Sequence, residues 1–281
     1  MTPTPQDLLA RRAAVEQLTD RAVSDFELAL AQVVRQIERQ LRGLVAGVAE
    51  GSRTAIIKAA KASRLRNELR NLLTDAGFDN LLDHATDAAL DRLAQAALQS
   101  EVGKDVSAFV ASLRPRIDAL KALALSDLIG QGDLVASALW RATVNGVFSA
   151  RPTDAILRDL IGLIDDTVPH IRTLYDTTVS IYGRQVEQLM TKGEPDELFV
   201  YLGPLDQVTR EWCEERVGKV FSRAEIDEMD NGQLPTPMLT SGGYNCRHAF
   251  TLISKFSELA DLAGTDKRMP EVERVIQGRA A

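Results

Sequence analysis

The chain has 281 residues, 45% hydrophobic and 5% aromatic, with a formal net charge of -7 and a pI near 5.2. That is enough apolar material for a sizeable core, and so few aromatics suit Ala/Leu-rich helices better than a β-sandwich. The acidic balance argues against a protein whose main work is coating phosphate backbone, and two cysteines do not make a disulfide framework.

The N-terminal residues show no basic segment followed by an apolar run, so no secretory signal is expected. No stretch approaches about 18 uninterrupted apolar residues, so no membrane span is expected either. The composition is that of a soluble protein made in the cytoplasm.

In chain order, the first pattern places Val15, Leu18, Ala22, Phe26, Leu30, Val33, Ile37, Leu41, Leu44 and Val48 in steps of three and four. These form one stripe of a single long helix with a break near Gly51. Gly43, Gly47 and Gly51 recur every four residues, which either marks that break or admits a close neighbouring helix. Residues 53–76 predict a second helix ending at Gly77, and residues 79–99 a third. A fourth covers 104–129 and stops at the turn-like Gly130-Gln-Gly-Asp, before a fifth at 133–148. Thr153 or Asp154 should cap the next helix, which carries Ile156, Leu160 and Ile164. Pro169 should begin or kink a further one bearing Ile171, Leu174, Thr178, Ile181, Val186 and Leu189. No repeat of 20–50 residues is present, so the body (1–150) reads as a helical bundle rather than a solenoid.

Arg53, Lys58, Lys61, Arg64, Arg66 and Arg70 face a single acid, Glu68, and Arg53, Lys61 and Arg64 share one helix face. A solvated basic face accounts for this; contact with DNA phosphate or an acidic partner is the functional alternative. His84 and His170 have no ligand-like neighbour at helical spacing.

After Pro195 the texture changes. Phe199-Val-Tyr-Leu202 predicts a strand bounded by Gly203-Pro204, and Asp206 should fold over its own backbone to start a short segment through Thr209, Arg210 and Trp212. Gly218-Lys-Val-Phe221 predicts a turn into a second strand. Ser222-Arg-Ala-Glu225 matches a capping box opening a helix to about Met229. Pro235 and Pro237 mark a loop, Gly242-Gly243 a tight turn, and Phe250–Ile253 a last strand. Residues 197–256 thus predict a compact α+β module. Residues 257–281 predict a short helix near Glu258–Ala263 and then a polar tail.

Both cysteines fall in this module, with His248 two residues after Cys246. Zinc takes four ligands in a structural site and three plus water in a catalytic one; Cys213, Cys246 and His248 offer three, Cys246-Arg-His248 is tighter than the usual spacings, and Asp206 would complete a set that the spacing does not demand. Two cysteines close in space, free or disulfide-linked, and two unrelated buried cysteines are the alternatives. A Cys-His nucleophile oriented by Asp206 is conceivable, but no Gly-rich phosphate loop, His-Glu-x-x-His or nucleophile elbow accompanies it. The module therefore reads as a scaffold rather than an active site.

Asp206, Thr209-Arg210, Cys213, Gly218 and Phe221, a proline-containing loop, and then Asn245-Cys246-Arg247-His248, taken in this order, resemble the Mu F-like phage minor head (head morphogenesis) proteins. The helix Arg172-Thr-Leu-Tyr-Asp-Thr-Thr-Val-Ser-Ile-Tyr-Gly-Arg184 is similar to the one leading into that domain, so the resemblance covers about residues 150–256. Members of that family often carry paired cysteines at the first motif and a cysteine where this chain has His248. The resemblance implies a non-enzymatic minor component of a tailed-phage head, present in several copies inside the head or at the neck. Its implied partners are the portal protein, the major capsid protein and packaged DNA, with roles in head morphogenesis and in DNA packaging or ejection. Assembly would take place in the host cytoplasm. Some relatives carry an effector behind this domain; the residues that follow it here are too few for one.

Overall fold

The computed structural model describes residues 3–50, 59–81, 86–99, 106–149, 151–189 and 191–280. They form long helices followed by a small antiparallel sheet near the C-terminus, the expected mainly α class with an α+β module. The chain divides into two compact units, one of residues 1–21, 89–122 and 176–281 and the other of residues 22–88 and 123–175.

Helix α1 (Pro5–Glu50) opens on a reciprocal cap. Asp7 N donates to Thr4 Oγ1 at 3.2 Å, and Thr4 N donates to the Asp7 carboxylate at 2.9 Å. Its buried stripe runs Leu8, Arg12, Val15, Thr19, Ala22, Phe26, Leu30, Val33, Ile37 and Leu41. Leu18, expected on this stripe, is only half-buried, and Thr19 takes its place by donating its hydroxyl to Val15 O at 3.1 Å. A Cβ on Gly43 would meet nothing within 4 Å, so no helix closes on that glycine among the described residues. The expected break near Gly51 lies outside them.

In the unit of residues 22–88 and 123–175, helix α2 (Ala59–Asp75) stops at Gly77 as predicted. Gly77 adopts φ +89°, and its N–H donates to Thr74 O at 2.9 Å. Where one helix is expected over 79–99, a single turn α3 (Phe78–Asn80) and a helix α4 (Thr86–Gln99) stand on either side of residues outside the described set.

The helix stop at Gly130 and the helix start at Pro169 are corrected. Helix α5 (Val106–Phe148) runs straight through Gly130-Gln-Gly-Asp. Two glycines cost about 1 kcal/mol each in a helix, less than the burial of Leu128, Val135 and Leu139 around them returns at about 1.5–3 kcal/mol per side chain. A Cβ on Gly132 would be tight there, 3.2 Å from Asp79 Oδ1 and 3.4 Å from Arg70 Cζ. Helix α6 (Thr153–Gln188) carries Pro169 inside it, so no helix begins at that proline. The lost bond and ring clash cost about 3 kcal/mol, but Ile156, Leu160, Ile164, Ile171 and Tyr175 are buried on both sides of it. The helix also begins at Thr153 itself, with Pro152 O accepting from Ala155 N and Ile156 N, so neither Thr153 nor Asp154 is the cap.

Within α5, Ala111–Gly146 is long and apolar enough to cross a membrane by length and composition alone, with a mean hydropathy of 1.2 in its best window. Core helices pass the same test. This one carries Arg114 and Lys121, both paired with Asp91 of α4.

The C-terminal module follows the predicted order. Strand β1 (Leu198–Leu202) is central, flanked by β2 (Val220–Ser222) and β3 (Ala249–Ile253), both antiparallel to it. Phe199 pairs with Phe221 and Leu252, and Tyr201 pairs with Phe250. Short helices α7 (Glu211–Glu214), α8 (Arg223–Asp227) and α9 (Pro237–Thr240) fill the connections, and the Ser222/Glu225 capping box is formed in full. The polar tail is corrected: after a 3-10 turn at Ala260–Leu262, Pro270–Ala280 form an eleven-residue helix, α10. Met269, Val272 and Ile276 sit at helical spacing and join the module core, and Met269 N donates to Gly218 O at 2.8 Å. Gly218 has φ +83°, and a Cβ there would lie 2.8 Å from Val272.

Candidate functional site

The two motifs meet at one end of the sheet. Asp206 Oδ1 accepts from Val208 N at 3.1 Å and from Thr209 Oγ1 at 3.0 Å, the turn expected of an Asp at that position. That turn delivers Arg210 to the start of α7. Arg210 donates to Gly242 O at 2.9 Å and to Tyr244 O, tying the first motif to the second. Arg247 returns the link by pairing with Asp206 Oδ2 and, at 3.5 Å, with Glu16 of α1. Asn245, at φ +53°, donates its N–H to Thr177 Oγ1 of α6 at 3.1 Å. Arg12 of α1 donates to Arg247 O at 2.6 Å.

At the centre lies Arg184 of α6, with 3% of its surface exposed. Its guanidinium donates to His248 O at 3.0 Å, to Leu239 O at 2.9 Å and to Cys246 O. One carbonyl of α9 and two of the segment entering β3 are thus satisfied by one planar fork. Burial pushes the Arg184 pKa down, opposed chiefly by the charge of Cys246.

Cys213 on α7 and Cys246 and His248 ahead of β3 come together, all three buried. The two Sγ atoms are 3.7 Å apart and neither forms a disulfide; Cys246 Sγ is 3.8 Å from His248 Nδ1. Tyr201 of β1 directs its hydroxyl at the pair, 3.4 Å from Cys213 Sγ and 3.9 Å from Cys246 Sγ, and its ring stacks on that of His248. Gly242 N donates to Cys246 Sγ at 3.2 Å. The bond from Cys213 does most to hold the Cys246 thiol far below the ordinary thiol range; burial opposes it, and the bond from His248 and the charge of Arg184 add to the lowering. Cys213 is pushed far up by that same bond and by burial, and burial also raises Tyr201.

Of the residues singled out in the sequence, Cys213, Cys246 and His248 form this cluster, and Asp206, Thr209, Arg210, Asn245 and Arg247 form the shell that braces it. Asp206 is not a fourth ligand, because its oxygens are engaged by Thr209, Val208 and Arg247. Gly218 and Phe221 lie apart from it. Gly218 turns the chain into β2 against α10, and Phe221 packs edge-on to Phe250 at 6.1 Å. Arg53 and His84 lie outside the described residues, as do the side chains of Lys61 and Arg64; His170 is exposed on α6. Sequence reading missed Arg184, Tyr201, Thr177 and Arg12. The first three had a signal: Thr177, Ser180 and Arg184 form a polar line at helical spacing beside the apolar one of Tyr175, Val179 and Tyr182, and Tyr201 shares a strand face with Phe199.

No protein-family model, curated protein or solved structure matches the chain.

Proposed function

We propose that the chain is a minor structural protein of a tailed-phage head, bound at the portal vertex and acting in head morphogenesis and in DNA packaging or ejection. One observation carries this reading. Asp206, Thr209, Arg210, Asn245 and Arg247, which bear the resemblance to Mu F-like minor head proteins, are consumed in bracing the module against itself and against α1 and α6. Residues that hold a loop in place explain a recurring motif without a reaction, and in this reading the chain is not an enzyme. The three site residues with nucleophile or ligand chemistry are buried beneath that brace. Long helices supply the docking faces for the portal protein and, in a virion, for the major capsid protein and packaged DNA.

Co-expression with the portal protein of the same phage tests the proposal. The chain should co-purify with portal rings, and imaging of the complex should show several copies arrayed on them, inside the head or at the neck in mature particles. Failure to associate with portal or capsid protein under assembly conditions overturns it.

A further inference from the structure

Two edges of the Cys213, Cys246 and His248 cluster have the dimensions of a zinc site, and the remaining ligand pair lies within 4.8 Å. Two thiolates bound tetrahedrally to zinc at about 2.3 Å lie about 3.8 Å apart, and a thiolate and an imidazole nitrogen about 3.6 Å apart. The observed separations are 3.7 Å between the sulfurs and 3.8 Å from Cys246 Sγ to His248 Nδ1, and all three ligand atoms fall within 4.8 Å of one another. A phenol oxygen at the fourth vertex belongs about 3.5 Å from each sulfur. Tyr201 Oη stands 3.4 Å and 3.9 Å from them.

The surroundings are built around these atoms. A Cβ on Gly242 would lie 2.4 Å from Cys213 Sγ and 3.2 Å from Cys246 Sγ, and one on Gly203 would lie 2.4 Å from the His248 ring. His248 is 3% exposed, yet Nε2 has no hydrogen-bond partner and Nδ1 has only the distant sulfur. A buried imidazole nitrogen without a strong partner is costly, and a cation would give Nδ1 one; Nε2, which would then carry the proton, stays unpartnered among the described residues. The Arg184 fork fixes the carbonyls of both Cys246 and His248, so the ligand-bearing backbone is held before any ion arrives.

We propose that Cys213, Cys246 and His248 bind one zinc ion, with Tyr201 Oη as the fourth donor, as a structural staple of the C-terminal module. Two sulfurs and a nitrogen around a tetrahedron select zinc over the hard cations, which prefer oxygen. A closed, buried site with four protein donors has no open position for substrate, so the ion is structural. The ion would link α7 to the segment entering β3, which belong to separate parts of the chain. This assignment does not depend on the phage-head reading, and either can fail without the other.

The test uses the full chain, purified in reductant, stripped with chelator and titrated with zinc and then cobalt chloride. The expected result is one zinc per chain by elemental analysis and, for cobalt, the intense visible bands of a tetrahedral site with thiolate charge transfer in the near ultraviolet. Cys213→Ser and His248→Ala should each lose the charge-transfer pattern or weaken affinity by about 100-fold, and Tyr201→Phe by roughly 10- to 100-fold. If a variant fails to fold, the wild-type cobalt spectrum decides alone. A folded wild-type chain that stays metal-free overturns the proposal, whether its two cysteines are reactive thiols or a disulfide. Unchanged affinity in Tyr201→Phe overturns the assignment of the fourth donor.

Discussion

Arg184 concentrates the stability of the site in one side chain. It is buried among three carbonyls that no other described donor serves as closely, so its removal leaves buried acceptors unpaired as well as a cavity. Arg184→Met should cost about 3–5 kcal/mol in urea unfolding, in the range seen when a buried charged partner is deleted. Arg184→Lys should recover only part of this, because an ammonium cannot reach three acceptors spread across a planar fork. Full rescue by lysine would show that charge alone matters there. Asp206 offers a subtler measurement. Burial pushes its pKa up, but the bonds from Arg247 and Thr209 win, and it sits below the ordinary carboxylate value in the fold. The native state then binds fewer protons than the unfolded chain, so this stabilisation is complete above about pH 5 and is lost as pH falls through the depressed value. Asp206→Asn keeps the turn but loses the charge, and should cost no more than about 1 kcal/mol at pH 7 because the pair is partly exposed. That gap should shrink as pH falls below about 4 and close once pH is below the depressed value. A gap that persists in acid would assign the effect to the turn and not to the ion pair.

At the scale of elements, several local signals in the sequence settle the conformation on their own. The capping box at Ser222, the Gly77 terminus, the Asp206 turn and the three strands are all such cases. Expectations failed where Pro152, and not Thr153 or Asp154, offers the first acceptor of α6, where distant packing overrules a local breaker, as at Gly130-Gln-Gly-Asp, or where a partner supplies the reason for a short apolar pattern, as Gly218 does for α10. The clustering of Cys213, Cys246 and His248 was among the alternatives that spacing left open, but Arg184 and Tyr201 became meaningful only once β1 and α6 were seen against the same loop. The continuous α5 makes a separable prediction. Gly130 has open space around its Cα, so Gly130→Ala should stabilise the protein by about 0.5–1 kcal/mol in thermal or urea unfolding. Gly132→Ala gains the same backbone term but presses on the Arg70–Asp79 pair, and should gain little or lose stability. Equal gains at both sites would mean that α5 does not approach that pair closely.

For the whole molecule, charge decides between the two kinds of partner considered for the basic segment. The chain carries 40 acids against 33 basic side chains, and the basic run of α2 is less available than its sequence suggests. Arg70 is held by Asp79 at 2.9 Å and Asp133 at 2.8 Å, and Arg66 donates to Ser137 at 3.3 Å. Association with DNA through the few remaining cations would release few counterions. It would also work against a net charge of -7, so it should be weak, with a shallow salt slope. Docking of apolar helix faces on a portal ring loses little to screening, because burying hydrocarbon does not depend on ionic strength in this range. At about 0.2 M salt the chain should therefore leave duplex DNA unshifted in a gel assay while remaining bound to immobilised portal protein. Arg64→Glu, a reversal on the shared basic face, should leave portal binding unchanged. The opposite pair of results, DNA retained at that salt and lost in Arg64→Glu with no portal binding, would make the chain a nucleic-acid-binding protein and displace the portal as its anchor.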